Sequence, residues 1–295
     1  MGLFGGGYDK PGKGVDKNEP KKKGFFLFFD VLIHKFSKFI GANCLYSLVS
    51  ILWAAILFVV GMFMLANTGI VTSLAAAMEG TGIGEADLQV ILAIMFAVSV
   101  FVLWGSGPAS AAYAYVNRCF TRGEPVWVAS DGKDKFKENF KQGMIVVIID
   151  LLVLVLGMNA VHFYYSLYAE SGSILWMLLT YVMVLALIIY TMMHPYLYQM
   201  MVTFECKTGA LYKNALIITL AKLPGNFFLL LFDAAVLFAL FLFINPIAAA
   251  LIIAVIGLCI TRYPGEFYAA RVIERSILKD MKKKQPKIEY IEEDA

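Results

Sequence analysis

The chain has 295 residues, 60% of them hydrophobic and 16% charged, with a net charge of +3. A mean hydropathy of +0.73 exceeds that of a soluble domain, which is about half apolar, and points to lipid as the solvent. The small net charge, with acids interleaved among the bases, argues against nucleic-acid binding. Cys44, Cys119, Cys206 and Cys259 show no metal-ligand spacing, so reduced structural thiols and no metal or other cofactor are expected.

Residues 1–24 are rich in Gly, Lys and Pro and read as a disordered cytoplasmic tail. In residues 25–40, Phe29, Leu32, Phe36 and Phe39 recur at helical spacing, which suits a helix lying in the membrane interface. Six apolar runs follow at 43–67, 87–107, 144–165, 173–194, 226–244 and 247–263. Each is judged against the roughly 20 residues a helix needs to cross the hydrocarbon. The third outward connection is little more than Asn245-Pro246, a tight turn between two helices. Beyond the sixth run, GEFYAARVIERSILKDMKKK reads as an amphipathic cytoplasmic helix, with Phe267, Val272, Ile277 and Leu278 on its apolar face, and an acidic tail ends the chain. The expected organisation is therefore a tail over 1–24, a six-helix transmembrane domain over 25–264 and a cytoplasmic extension over 265–295.

Every Lys and Arg falls in one of four segments: Lys10 to Lys38, Arg118 to Lys141, Lys207 to Lys222 and Arg262 to Lys287. The three intervening connections carry no Lys or Arg; the first holds Glu79 and Glu85, and the second Glu170. Lysine and arginine resist translocation, so this asymmetry predicts both termini in the cytoplasm, with the basic segments against the anionic inner leaflet.

The runs also pair. Each pair opens after a glycine (Gly41, Gly143 or Gly225) and closes near a proline (Pro108, Pro195 or Pro264). This threefold internal pattern predicts three helical hairpins. A proline within a helix removes one hydrogen bond and crowds the carbonyl four residues earlier, so each even-numbered helix is expected to bend near the interface. Gly105, Ser106, Gly107, Ala109, Ser110, Ala111 and Ala112 offer a surface that another helix, or a partner protein, can approach closely.

Gly105, Pro108, Ala109, Ser110 and Ala112, then Phe136, Asn139 and Phe140 ahead of the third run, and the opening Asn43-Cys44-Leu45-Tyr46 carry a resemblance. The chain resembles the YesL-like family, bacterial multi-pass membrane proteins known mainly as a domain of unknown function. The likeness covers residues 25–165 and fades afterwards. It implies a Gram-positive source, a plasma-membrane home and a place near carbohydrate uptake by ABC-type sugar importers. It supplies no catalytic residues.

Asp150 and Asp233 lie inside the third and fifth runs, each about 10 Å into the membrane from its glycine at 1.5 Å per residue. An ionised carboxylate at that depth costs about 2.5–3.5 kcal/mol on insertion scales, so each should face protein or water. Arg118, His194 and Arg262 are available partners at the ends of the even-numbered helices. The structural reading pairs each acid with one of these bases, and the functional reading makes them a polar centre for a proton, cation or ligand. No P-loop, nucleophile elbow or HExxH motif is present, and no nucleophile–base set points to an enzyme. The expected function is a non-enzymatic accessory or interaction protein associated with carbohydrate uptake. The alternative is a small transporter or channel using Asp150 and Asp233. The sequence leaves the oligomeric state undetermined.

Overall fold

The computed structural model describes residues 24–78 and 82–278. The N-terminal tail, Glu79 and the acidic C-terminal segment lie outside the described residues. The protein is an all-α membrane protein, and its described residues form thirteen α-helices linked by short turns.

Helices α1 (Phe25–His34), α2 (Phe36–Val49) and α3 (Ile51–Ala66) open the chain. The first apolar run is not a straight span: α2 and α3 meet at a 60° bend. Ser50 stands at that bend, its Oγ 2.6 Å from Ser106 Oγ. Helix α4 (Ile70–Ala77) lies in the first connection, and α5 (Glu85–Trp104) returns to pack along α3. Acidic residues at helix N-termini complement the dipole, and Asp87 of α5 also accepts from the Gly84 N–H at 3.3 Å.

Helices α6 (Pro108–Arg122) and α7 (Val128–Glu138) follow, then the long α8 (Phe140–Ser171) and α9 (Ile174–Met201), which pack together as a hairpin. Next come α10 (Thr208–Ala221), α11 (Leu223–Phe243), α12 (Pro246–Ile252) and α13 (Leu258–Ile273). Asn245 caps α12, its side chain accepting from the Ile247 N–H at 3.0 Å, and Pro246 fills the first helical position. That pairing of an Asn cap with an N1 proline favours a helix start, and it separates α11 from α12 where the tight turn was predicted. A π-helical turn over Ile253–Gly257 joins α12 to α13. The helical stretch runs unbroken past 264, and Gly265, Glu266, Ala269, Val272 and Ile273 are buried. The segment expected as a separate cytoplasmic extension thus continues into the bundle, against α6 and α9.

Five helices are long and apolar enough to cross a membrane, and the bent α2–α3 pair makes a sixth candidate. Their outer faces carry Leu152, Leu156, Leu178, Val182, Phe228 and Phe238, all exposed, as expected where hydrocarbon replaces water.

The three prolines behave differently. Pro195 and Pro264 sit inside continuous helices. Pro108 does not: α5 stops at Trp104, and Pro108 begins α6. The expected bend within one helix is therefore a break between two. Gly105 and Gly107 cause it, with φ of 81° and 60°, values that cost a side-chain-bearing residue dearly. The glycines that open the hairpins also differ. A Cβ on Gly143 would lie 2.5 Å from Pro108 N, and one on Gly225 would strike the Tyr268 hydroxyl, whereas Gly41 lies within α2 with nothing near it.

Candidate polar centres within the bundle

The segments around the three prolines meet at Arg262. Its Nη1 donates to Tyr46 Oη at 2.5 Å and to Ser110 Oγ at 3.0 Å, and its Nη2 reaches Glu266 Oε1 at 3.3 Å. The rings of Tyr46, Tyr113 and Tyr198 surround the guanidinium at 5.1–5.7 Å, within cation–π range. Gln199 Nε2 donates to Glu266 Oε2 at 2.6 Å and to the Ala114 carbonyl at 3.1 Å. The Tyr198 hydroxyl donates to the Trp104 carbonyl at 3.0 Å and accepts from the Gly107 N–H at 3.2 Å. Residues near Pro108, Pro195 and Pro264 are thereby tied to one buried ion pair.

Arg262 was expected to serve an aspartate, but its partner is Glu266, one turn along the same helix. The spacing of four was readable in the sequence. It was missed because the segment after Pro264 reads as a surface helix.

Asp150 forms a second centre with His194. Both side chains are 1% exposed, and His194 Nε2 lies 3.1 Å from Asp150 Oδ1. Tyr190 Oη donates to the same oxygen at 2.6 Å and lies 3.4 Å from the Tyr212 hydroxyl. The indole of Trp104 stacks on the imidazole at 5.3 Å, and its N–H donates to Thr191 Oγ1 at 2.8 Å. His194 Nδ1 faces the Tyr190 carbonyl at 3.1 Å. A carbonyl only accepts, so Nδ1 carries a proton. The Nε2–Oδ1 contact gives the buried acid a basic partner, as an acid within a membrane span requires.

Asp150 Oδ2 has no hydrogen-bond partner among the described residues. His194→Ala leaves a buried carboxylate with Tyr190 alone and should cost about 3–5 kcal/mol, the usual penalty for removing one partner of a buried pair. Asp150→Asn keeps an acceptor for Tyr190 and should cost about 1–2 kcal/mol. Denaturation in mixed micelles reads both, and equal losses would remove the proposed dependence of Asp150 on His194.

Asp233 stands apart. No hydrogen bond or ion pair joins it to Asp150, Arg118, His194 or Arg262 among the described residues. Its buried Oδ1 has no hydrogen-bond partner among the described residues. It borders a cavity of about 40 Å³ beside Asn226, Thr191 and Pro195, large enough for a water. Arg118 serves neither acid. Its Nη1 donates to the Val202 carbonyl at 2.8 Å and Thr203 Oγ1 at 2.6 Å, at the end of α9, where a cation complements the helix dipole. The five predicted site residues thus separate into one true pair, Asp150 with His194, and three that lie elsewhere.

The small residues from Gly105 to Ala111 are buried within the fold. Of the two approaches expected for this surface, another helix or a partner protein, the fold uses the first: α2, α8, α9 and α13 pack against α6. Asn43, seen in the sequence only as part of a motif, has a clear task. Its Nδ2 donates to the Val255 carbonyl at 3.1 Å, its Oδ1 accepts from Tyr113 at 2.7 Å, and Ser47 donates to the Ala254 carbonyl at 3.1 Å. These side chains satisfy carbonyls in the π-helical turn. The four cysteines are free, and burial holds the thiols of Cys119 and Cys206 above their ordinary pKa. Among the described residues no group of His, Cys, Asp and Glu has a metal-binding arrangement.

Residues 88–159 match the family model described as "Protein of unknown function, DUF624". No curated protein and no solved structure matches the chain. The matched segment holds the Gly105–Pro108 break, Arg118, Gly143 and Asp150, but not His194, Asp233, Arg262 or Glu266.

Proposed function

We propose that the protein is a non-enzymatic accessory protein of the bacterial plasma membrane, with both termini cytoplasmic, that binds an ABC-type sugar importer. The observation that carries this reading is the use of the intramembrane polar groups. Asp150 and Arg262 are engaged in separate internal cross-links, and Asp233 borders a cavity that Asp150 does not line. Such an arrangement rigidifies a scaffold. The resemblance to the YesL-like family supplies the direction toward carbohydrate uptake. With the small-residue helix covered, the surface offered to a partner shifts to α7, where Lys133 and Lys137 are exposed and Trp127, just before it, is 79% exposed. An exposed tryptophan beside charges is a typical anchor at interfaces.

Purification in mild detergent should bring down importer subunits in stoichiometric amount. Trp127→Ala with Lys137→Glu should reduce their recovery without altering expression. Recovery of the bare protein, in quantity and without a sugar importer, would refute the proposal.

One observation favours a second reading, a small transporter or channel. Asp233, whose buried Oδ1 has no partner among the described residues, lines a water-sized cavity beside Pro195, and proline withdraws the hydrogen bond of the Thr191 carbonyl there. Proteoliposomes with Asp150→Asn and Asp233→Asn test this reading. Wild-type flux of a sugar or cation that the double variant loses would support transport over scaffolding.

A further inference from the structure

Helices α2, α6 and α7 enclose a groove whose lining includes the Tyr46 and Tyr113 side chains of the Arg262 cluster. Its volume is about 390 Å³, within the range of about 300–1,000 Å³ typical of small-molecule sites. Ala42, Leu45 and Val49 of α2 form one wall, Ala109, Ala112 and Val116 of α6 the floor, and Val128, Ala129, Lys133 and Phe136 of α7 the other wall. Small side chains on the floor give it depth. A cavity with such a lining does not hold water well, so its natural occupant is apolar.

The two ends of the groove differ. Helices α2 and α6 run antiparallel, as the pairs Tyr46–Ser110, Asn43–Tyr113 and Phe39–Phe120 show. Val49 and Ala109 therefore share one end. Beside it lie the exposed apolar residues Leu48, Ile51 and Leu52 and, past the Phe136–Phe140 ring contact, Phe140, Met144 and Ile145. This end opens onto the lipid-facing belt.

Cations mark the α7 wall and the far end. Lys133 lines the groove, is exposed, and has no ion-pair partner among the described residues. Lys137 follows one turn later. Lys38 lies one turn before Ala42, on the α2 stripe that faces the groove. By contrast Lys135 is held by Glu138 at 2.5 Å, and Asp131 is occupied by the Trp127 N–H at 2.9 Å.

We propose that this groove binds one anionic phospholipid, with an acyl chain laid from the belt over Ala109 and Ala112 and the phosphate held by Lys133. An apolar slot continuous with lipid and rimmed by lysines that have no ion-pair partner among the described residues complements such an amphiphile in both shape and charge.

Native mass spectrometry of the full chain in detergent tests this, with dioleoylphosphatidylglycerol or dioleoylphosphatidylcholine titrated in. One phosphatidylglycerol should be retained at about fivefold lower concentration than phosphatidylcholine, the factor expected from one lysine at a membrane surface. Lys133→Gln should erase that preference while leaving far-ultraviolet circular dichroism unchanged. Ala112→Trp, which fills the floor, should abolish retention of both lipids. Equal retention of the two lipids by the wild type, undiminished retention by Ala112→Trp, or a protein dimer in place of the lipid adduct would each overturn the proposal. Should Ala112→Trp fail to fold, the Lys133→Gln comparison still decides it.

Discussion

Arg262→Met is expected to destabilise the protein by about 3–5 kcal/mol, the cost of breaking a buried ion pair from one side. The loss exceeds that of an ordinary core substitution because of what remains behind. Glu266 is buried and would keep only Gln199 as a partner, in a site shaped by three tyrosine rings for a cation. Tyr46 and Ser110 would each lose their contact with the guanidinium, although they still lie 3.1 Å from one another. The pair itself need not be net stabilising, since desolvating two charges offsets much of their attraction. The double variant Arg262→Met with Glu266→Leu should therefore recover most of the loss. Unfolding in mixed micelles distinguishes the cases. A single variant within about 1 kcal/mol of wild type would mean that the proline segments are held together by packing alone, because a pair worth so little falls in the range of exposed ones.

The same cluster shows which parts of the architecture were readable from the residues. Long apolar runs announce helices of spanning length because lipid forces the backbone to satisfy itself locally, and Asn245-Pro246 announces its turn by local capping chemistry. The pairing of Asp150 with His194 was also accessible, since an acid within a span needs a partner and His194 was among few candidates. The bend at Ser50 was not. The partner of the Ser50 hydroxyl there is Ser106, more than fifty residues away, and nothing in the sequence around Ser50 distinguishes it from a serine in a straight helix. Arg262 misled for a related reason. Its partner was local, but the burial that makes the pair important comes from α6 and α9. Prolines at comparable places in the three units met different fates because only Pro108 is preceded by glycines that can take positive φ.

That last difference leads to the second large effect. Gly107→Ala and Gly143→Val should each cost several kcal/mol, whereas Gly41→Ala should gain a little. At Gly107 the backbone holds φ 60° and ψ −114°, and forcing a side chain into such a region costs about 1–3 kcal/mol by itself. A Cβ there would also lie 2.5 Å from the Gly143 carbonyl oxygen. At Gly143 the new atom would meet Pro108 N at 2.5 Å and its Cα at 2.8 Å. Both neighbours are backbone, so relief requires α6 and α8 to separate, and with them the contact that starts α6. Losses above about 4 kcal/mol are rare and mark this kind of overpacking. Gly41 belongs to the same sequence pattern, yet nothing approaches it. An alanine there removes a helix-interior glycine and should stabilise by about 0.5–1 kcal/mol. Thermal denaturation of the three variants in one detergent is a direct test. If Gly143→Val tolerates heating as well as Gly41→Ala does, then α6 and α8 are not in backbone contact, and the break at Gly105–Pro108 is not what brings Ser110 to Arg262.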